Sequence, residues 1–97
     1  MGERDYWRLL ASGVRLAVEY VTIQGRMVSF VIRLEKIQKD GKWRLVARYD
    51  TCHGWPHLDV VNGKGELVLK RWMKNMDTGE AFRWAVLDFE ANHEKYD

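Results

Sequence analysis

Apolar and polar residues alternate one by one through much of the first half of the chain, and this alternation limits the fold more than any other feature. Val14, Leu16, Val18 and Tyr20 alternate with Arg15, Ala17, Glu19 and Val21. After Gln24-Gly25 the pattern resumes, with Val28, Phe30, Ile32 and Leu34 set against Ser29, Val31, Arg33 and Glu35. Successive side chains of a strand point to opposite faces, so a period of two marks a sheet with one buried face. The two runs are expected to form a long hairpin. Asp40-Gly41 is the strongest short turn signal, of the type I′ kind that needs positive φ at both central positions. Trp43, Leu45, Ala47 and Tyr49 are then expected on one face of a third strand, with Arg44, Val46 and Arg48 on the other. Asn62-Gly63-Lys64-Gly65, between Leu58–Val61 and Glu66–Trp72, predicts a second hairpin. Ahead of all these, Asp5 to Ala11 reads as a short helix ended by Gly13.

The period changes near the C-terminus. Asp77 with Glu80 three residues later resembles a capping box. Phe82, Ala85, Val86 and Phe89 then share one face at about 3.6 residues per turn, and Tyr96 continues it. Trp84, Leu87 and Ala91 fall on the far side, where a second copy of the chain is the favoured cover. The expected fold is α+β: an antiparallel sheet of four or five strands covered on one face by a C-terminal helix, Asp77 to Lys95. The 97 residues suit a single domain over the whole chain.

Charge excludes little. Sixteen Lys and Arg against fourteen Asp and Glu leave a formal net charge of +2, with no basic block of the kind that phosphate-backbone binders display. The cluster Lys70-Arg71-Trp72-Met73-Lys74, with Arg44 and Arg48, has the charge and stacking surface for single-stranded nucleic acid. Its plainer reading is a solvated strand face. Cys52 is the only cysteine, which excludes an intrachain disulfide and a multi-cysteine zinc site. The first ten residues have no apolar core of a signal peptide, and no apolar run nears the roughly 20 residues of a membrane span. A cytoplasmic location without membrane association is expected.

Reactive side chains are densest in Asp50-Thr51-Cys52-His53-Gly54-Trp55-Pro56-His57-Leu58-Asp59. Gly54 and Pro56 make a loop of its centre, and beyond Pro56 an extended chain points His57 and Asp59 to the same side. Three readings compete. In one, His53, His57 and Asp59 ligate a divalent ion. In the second, His53 and His57 act as acid and base near neutral pH. In the third, Asp50 and Thr51 satisfy turn amides, Trp55 plugs the core, and the imidazoles bond to main-chain carbonyls. Cys52 reads as a small buried residue rather than a nucleophile. His93 reads as a partner of the last helix carbonyls.

The run Arg48-Tyr49-Asp50-Thr51-Cys52-His53-Gly54-Trp55-Pro56-His57-Leu58-Asp59 resembles the signature of a family of small uncharacterised bacterial and archaeal proteins. A helix pattern similar to Ala81–Asn92 accompanies that signature. A more distant likeness is to TumE-type toxins of toxin–antitoxin pairs, although the histidine spacing differs and Leu58 replaces a basic residue. That likeness implies a module acting on or binding RNA, with an antitoxin protein as partner. Within it, His53 and His57 are the acid–base candidates and Asp59 orients His57. Arg48, Lys70 and Trp55 are the substrate contacts. No cofactor and no resident metal are expected in this reading. The rival expectation is a non-enzymatic homodimeric interaction protein whose histidine loop is structural.

Overall fold

The computed structural model describes residues 1–52 and 54–96. Six strands form one antiparallel sheet in chain order: β1 Gly2–Ala11, β2 Val14–Ile23, β3 Arg26–Ile37, β4 Trp43–Asp50, β5 His57–Val61 and β6 Leu67–Trp72. One helix, α1 Thr78–Asn92, follows, and a 3-10 turn, His93–Lys95, extends it. The class is α+β as expected, with six strands where four or five were expected.

The added strand is β1, where a short helix was expected over Asp5–Ala11. Gly2–Leu9 pairs residue by residue with Arg15–Thr22 of β2. Gly13, at φ 72°, supplies the left-handed turn between them. An isolated helix of seven residues cannot repay its nucleation cost, whereas β2 offers a ready ladder of main-chain partners. Nine of the ten β1 residues, all but Leu10, are exposed, so β1 shows no alternation that would have marked it as a strand.

The turn expectation at Asp40-Gly41 also needs revision. Gln24 and Gly25 have φ of 51° and 77°, so the paired positive angles of a type I′ turn occur there. At Asp40-Gly41 only the glycine is left-handed, at 84°. Asp40 acts instead through its side chain, which accepts from Lys42 N at 2.9 Å. In β4 the expected alternation breaks at a bulge: Leu34 pairs with Ala47, but its neighbour Glu35 pairs with Leu45. One extra residue, Val46, re-aims the strand. Ala47 and Tyr49 therefore face α1 while Trp43 and Leu45 face the other way.

Helix α1 lies chiefly over β3. Asp77 caps it by accepting from Gly79 N and Glu80 N. Ala81, Ala85 and Phe89 are wholly buried beneath it, with Phe82, Val86 and Tyr96 packed at their margin. Their counterparts on the sheet are Leu16, Val18, Phe30, Ile32, Leu34, Tyr49 and Leu58. Small alanines at two of the three central positions let the helix approach closely, and Phe89 fills the space between Tyr49 and Tyr96 with ring centroids at 4.9 and 5.4 Å. Asp88 adds a polar clasp, accepting from the hydroxyls of Tyr49 and Tyr96 and from Asn92. Among the described residues no helix is long and apolar enough to cross a membrane.

Candidate functional site

Arg48, Asp50, His57, Asp59 and Lys70 gather on the sheet face opposite α1, where strand parity puts them. Arg48 stands opposite Asp59 and Asp50 opposite His57 across the β4–β5 pair. On the other flank Asp59 faces Lys70 and His57 faces Trp72 across β5–β6. Directly opposed side chains lie about 4.5–5.5 Å apart at Cβ, so an Arg-x-Asp strand beside a His-x-Asp strand interlocks its charges without help from loops.

His57 lies at the centre and is 2% exposed. Its Nδ1 is 3.2 Å from the main-chain oxygen of Trp55. Its Nε2 is 3.1 Å from Asp50 Oδ1 and 3.5 Å from Asp59 Oδ2, and the Trp72 ring lies against it at 4.8 Å. Both ring nitrogens thus meet acceptor oxygens. Two chemical species satisfy that arrangement. A doubly protonated ring donates at both ends, or a neutral Nδ1–H ring directs its Nε2 lone pair, with the carboxylates, at a shared cation.

The carboxylates are held from outside. Arg48 places Nε 2.8 Å from Asp50 Oδ2 and Nη2 2.9 Å from Asp59 Oδ2. Lys70 Nζ is 2.9 Å from Asp59 Oδ1. Asp50 Oδ1 also accepts from Cys52 N at 3.0 Å. Burial works against ionisation of Asp59, but the hydrogen bonds from Lys70 and Arg48 and the charge on Lys70 act against that effect, and the carboxyl sits below the usual range. The pairing continues along this face. Arg33 Nη1 lies 3.1 Å from Glu19, and Arg15 Nε lies 2.7 Å from Glu35. The Arg15 guanidinium also stacks between Trp7 and Trp43, at 4.5 and 4.1 Å. A depression lined by Val31, Leu45, Arg48, Asp50, His57 and Lys70, among others, opens over the cluster.

Of the residues proposed from sequence, His57, Asp59, Arg48 and Lys70 therefore meet in one cluster. Trp55 contributes its carbonyl while the residue stays 48% exposed, so it does not plug the core. His53 lies outside the described residues. Cys52 is exposed rather than buried. Thr51 holds the loop to β3, its hydroxyl accepting from Phe30 N at 3.0 Å. Asp50 is the residue that sequence reasoning undervalued. Its expected role at a turn amide holds, since it accepts from Cys52 N, yet it also stands nearer to His57 Nε2 than Asp59 does. The signal was available in the hairpin register, because a strand ending at Asp50 and another starting at His57 put those two residues opposite each other.

No curated protein and no solved structure matches the chain. A family model does match it from end to end, over residues 1–97. The chain belongs to the family described as Domain of unknown function (DUF7718).

Proposed function

We propose that this chain is a non-enzymatic interaction module that pairs with a second copy of itself along β6, with the histidine cluster fixing the sheet that presents the edge. The observation that carries the reading is the state of β6. It is an edge strand whose six residues are all exposed, and Leu67, Val68 and Leu69 are 54%, 59% and 41% accessible. Edge strands with consecutive apolar residues invite pairing, and proteins that stay monomeric blunt them with charge or cover.

Charge supports a second copy as the occupant. Glu66 precedes the apolar triplet and Lys70-Arg71 follows it. Antiparallel pairing of two β6 strands about an axis near Val68 brings the acid of each copy beside the bases of the other. Stable interfaces bury about 800 Å² per partner, more than a strand edge provides. Helix α1 leaves Trp84 and Leu87 at 48% and 63% exposure to extend the contact.

The RNA-acting, toxin-type alternative draws less support. Its general acid–base residue, His57, is 2% exposed with Nδ1 on the Trp55 carbonyl, and its phosphate contacts, Arg48 and Lys70, are engaged by Asp50 and Asp59. A group must reach its substrate before its chemistry matters.

Sedimentation velocity tests the proposal. The full chain should sediment as a dimer, twice its 11.5 kDa, and Val68→Lys should convert it to a folded monomer, with Leu87→Glu weakening the dimer further. A wild-type monomer at the highest soluble concentration overturns the reading. So does His57-dependent cleavage of added RNA, which would instead establish the enzymatic alternative.

A further inference from the structure

We infer that Asp50, His57 and Asp59 form a binding site for one divalent first-row transition cation on the sheet face opposite α1. The inference goes beyond the interaction role and does not depend on it. Three observations carry it.

The first is convergence of ligand atoms. One oxygen from each carboxylate and His57 Nε2 lie within 4.8 Å of one another, all on buried residues. Two ligands about 2.1 Å from a tetrahedral ion stand roughly 3.4 Å apart. The spacings from Nε2 to Asp50 Oδ1 and to Asp59 Oδ2 are 3.1 and 3.5 Å. Two of the three spacings thus already match those around a tetrahedral ion, and the third pair, the two carboxylate oxygens, lies within 4.8 Å.

The second is the orientation of the imidazole. A metal-bound histidine characteristically gives its other ring N–H to a carbonyl or carboxylate, which fixes the tautomer. Here Nδ1 faces the Trp55 carbonyl at 3.2 Å. In that neutral tautomer Nε2 is a bare acceptor on a side chain only 2% exposed. Among the described residues no N–H or O–H donor bonds it; its near neighbours are the two carboxylate oxygens. In the neutral tautomer that contact sets lone pair against lone pair, and a cation between them resolves it.

The third is the support of the carboxylates. Arg48 holds Asp50 by Oδ2, leaving Oδ1 turned to the hole, and Lys70 holds Asp59 by Oδ1, leaving Oδ2 turned inward. Arg48 also reaches that inner Asp59 oxygen. One imidazole with two carboxylates suits Zn²⁺, Fe²⁺ or Mn²⁺ better than the softer cations that thiolates select. The depression over the cluster provides access.

Arg48 and Lys70 compete with such a cation, since together they already balance the two carboxylates. Their side chains are 37% and 35% exposed, so either can turn toward water when an ion enters. This competition yields a test that a structural ion network does not imitate. Chelator-stripped full-length protein is titrated with Zn²⁺ by calorimetry and with Co²⁺ by visible absorption, while circular dichroism monitors the fold. Wild type should bind one equivalent, and Asp59→Asn should weaken binding at least tenfold. Lys70→Met, which removes a competing cation and leaves every ligand in place, should tighten binding several-fold. His57 Nε2 should be the ring nitrogen whose ¹⁵N resonance moves with Zn²⁺. Absence of binding in both wild type and Lys70→Met overturns the inference. So does binding that Asp59→Asn leaves unchanged, or an Nε2 that remains protonated in excess Zn²⁺. None of these outcomes bears on sedimentation of the metal-free chain, so the self-association proposal stands or falls separately.

Discussion

Replacing Tyr49 with Phe removes a single oxygen from the contact between helix and sheet. Tyr49 is 2% exposed, and its hydroxyl donates to Asp88 Oδ2 at 2.6 Å. Tyr96 donates to the same oxygen, and Asn92 donates to Oδ1 at 2.8 Å. The Phe ring keeps the contacts with Phe89 and Trp84 and leaves no cavity of methylene size, so the cost is that of the hydrogen bond alone. A hydrogen bond to a charged group contributes about 1.5–3 kcal/mol. Asp88 is only partly buried and keeps two other donors, so water can replace part of the loss, which places the expected cost near the bottom of that range, about 1.5 kcal/mol. For a chain of this size 1 kcal/mol shifts Tm by roughly 4–8 °C, so the variant should melt about 6–12 °C lower. Urea denaturation followed by tryptophan fluorescence, with Asp88→Ala and the double variant completing a cycle, measures the coupling directly. A Tyr49→Phe variant within about 0.5 kcal/mol of wild type, or a cycle with no coupling, refutes the account of how α1 is fastened.

The same clasp predicts alkaline sensitivity. Burial, with the Asp88 hydrogen bond behind it, raises Tyr49 far above its ordinary value of 10.0, and the same two causes push Tyr96 up to about 12. The unfolded chain therefore releases these protons first, and stability should be intact below pH 10 and fall as pH rises from 10 through about 12; urea midpoints that stay flat across that interval contradict it, and Tyr96→Phe should make the fall shallower. At the β1–β2 turn, Gly13→Ala should cost about 1–2 kcal/mol by chemical denaturation. The residue sits at φ 72°, and a Cβ there would stand 2.8 Å from Ile37 Cγ2; an unchanged midpoint would show that the turn is not held in the left-handed region.

The parts of the fold that could be read from the residues are those where one face is buried. Leu16 and Val18 of β2, with Phe30, Ile32 and Leu34 of β3, alternate because α1 covers only their side of the sheet. Helix α1 was legible for the same reason, since Ala85 and Phe89 recur at its period behind the Asp77 cap. β1 was not, because every residue of it but Leu10 is exposed and nothing selects alternating residues there. The bulge at Val46 was hidden too: Val46 and Ala47 are both fully buried, and two adjacent apolar residues fit either an unbroken or a bulged strand. In the candidate site, His57 and Asp59 were visible as a pair along one strand. Asp50 belongs with them only across strands, so it becomes visible once the β4–β5 register is fixed.

The account rests most heavily on His57 being a buried, main-chain-anchored ring rather than a solvent-facing acid or base. Long-range ¹H–¹⁵N correlation spectra of the metal-free protein, combined with hydrogen exchange, measure this directly. A proton on Nδ1 that exchanges slowly with solvent is the predicted result. A bare or rapidly exchanging Nδ1, with the ring open to water, would contradict the account and restore the acid–base reading of this loop.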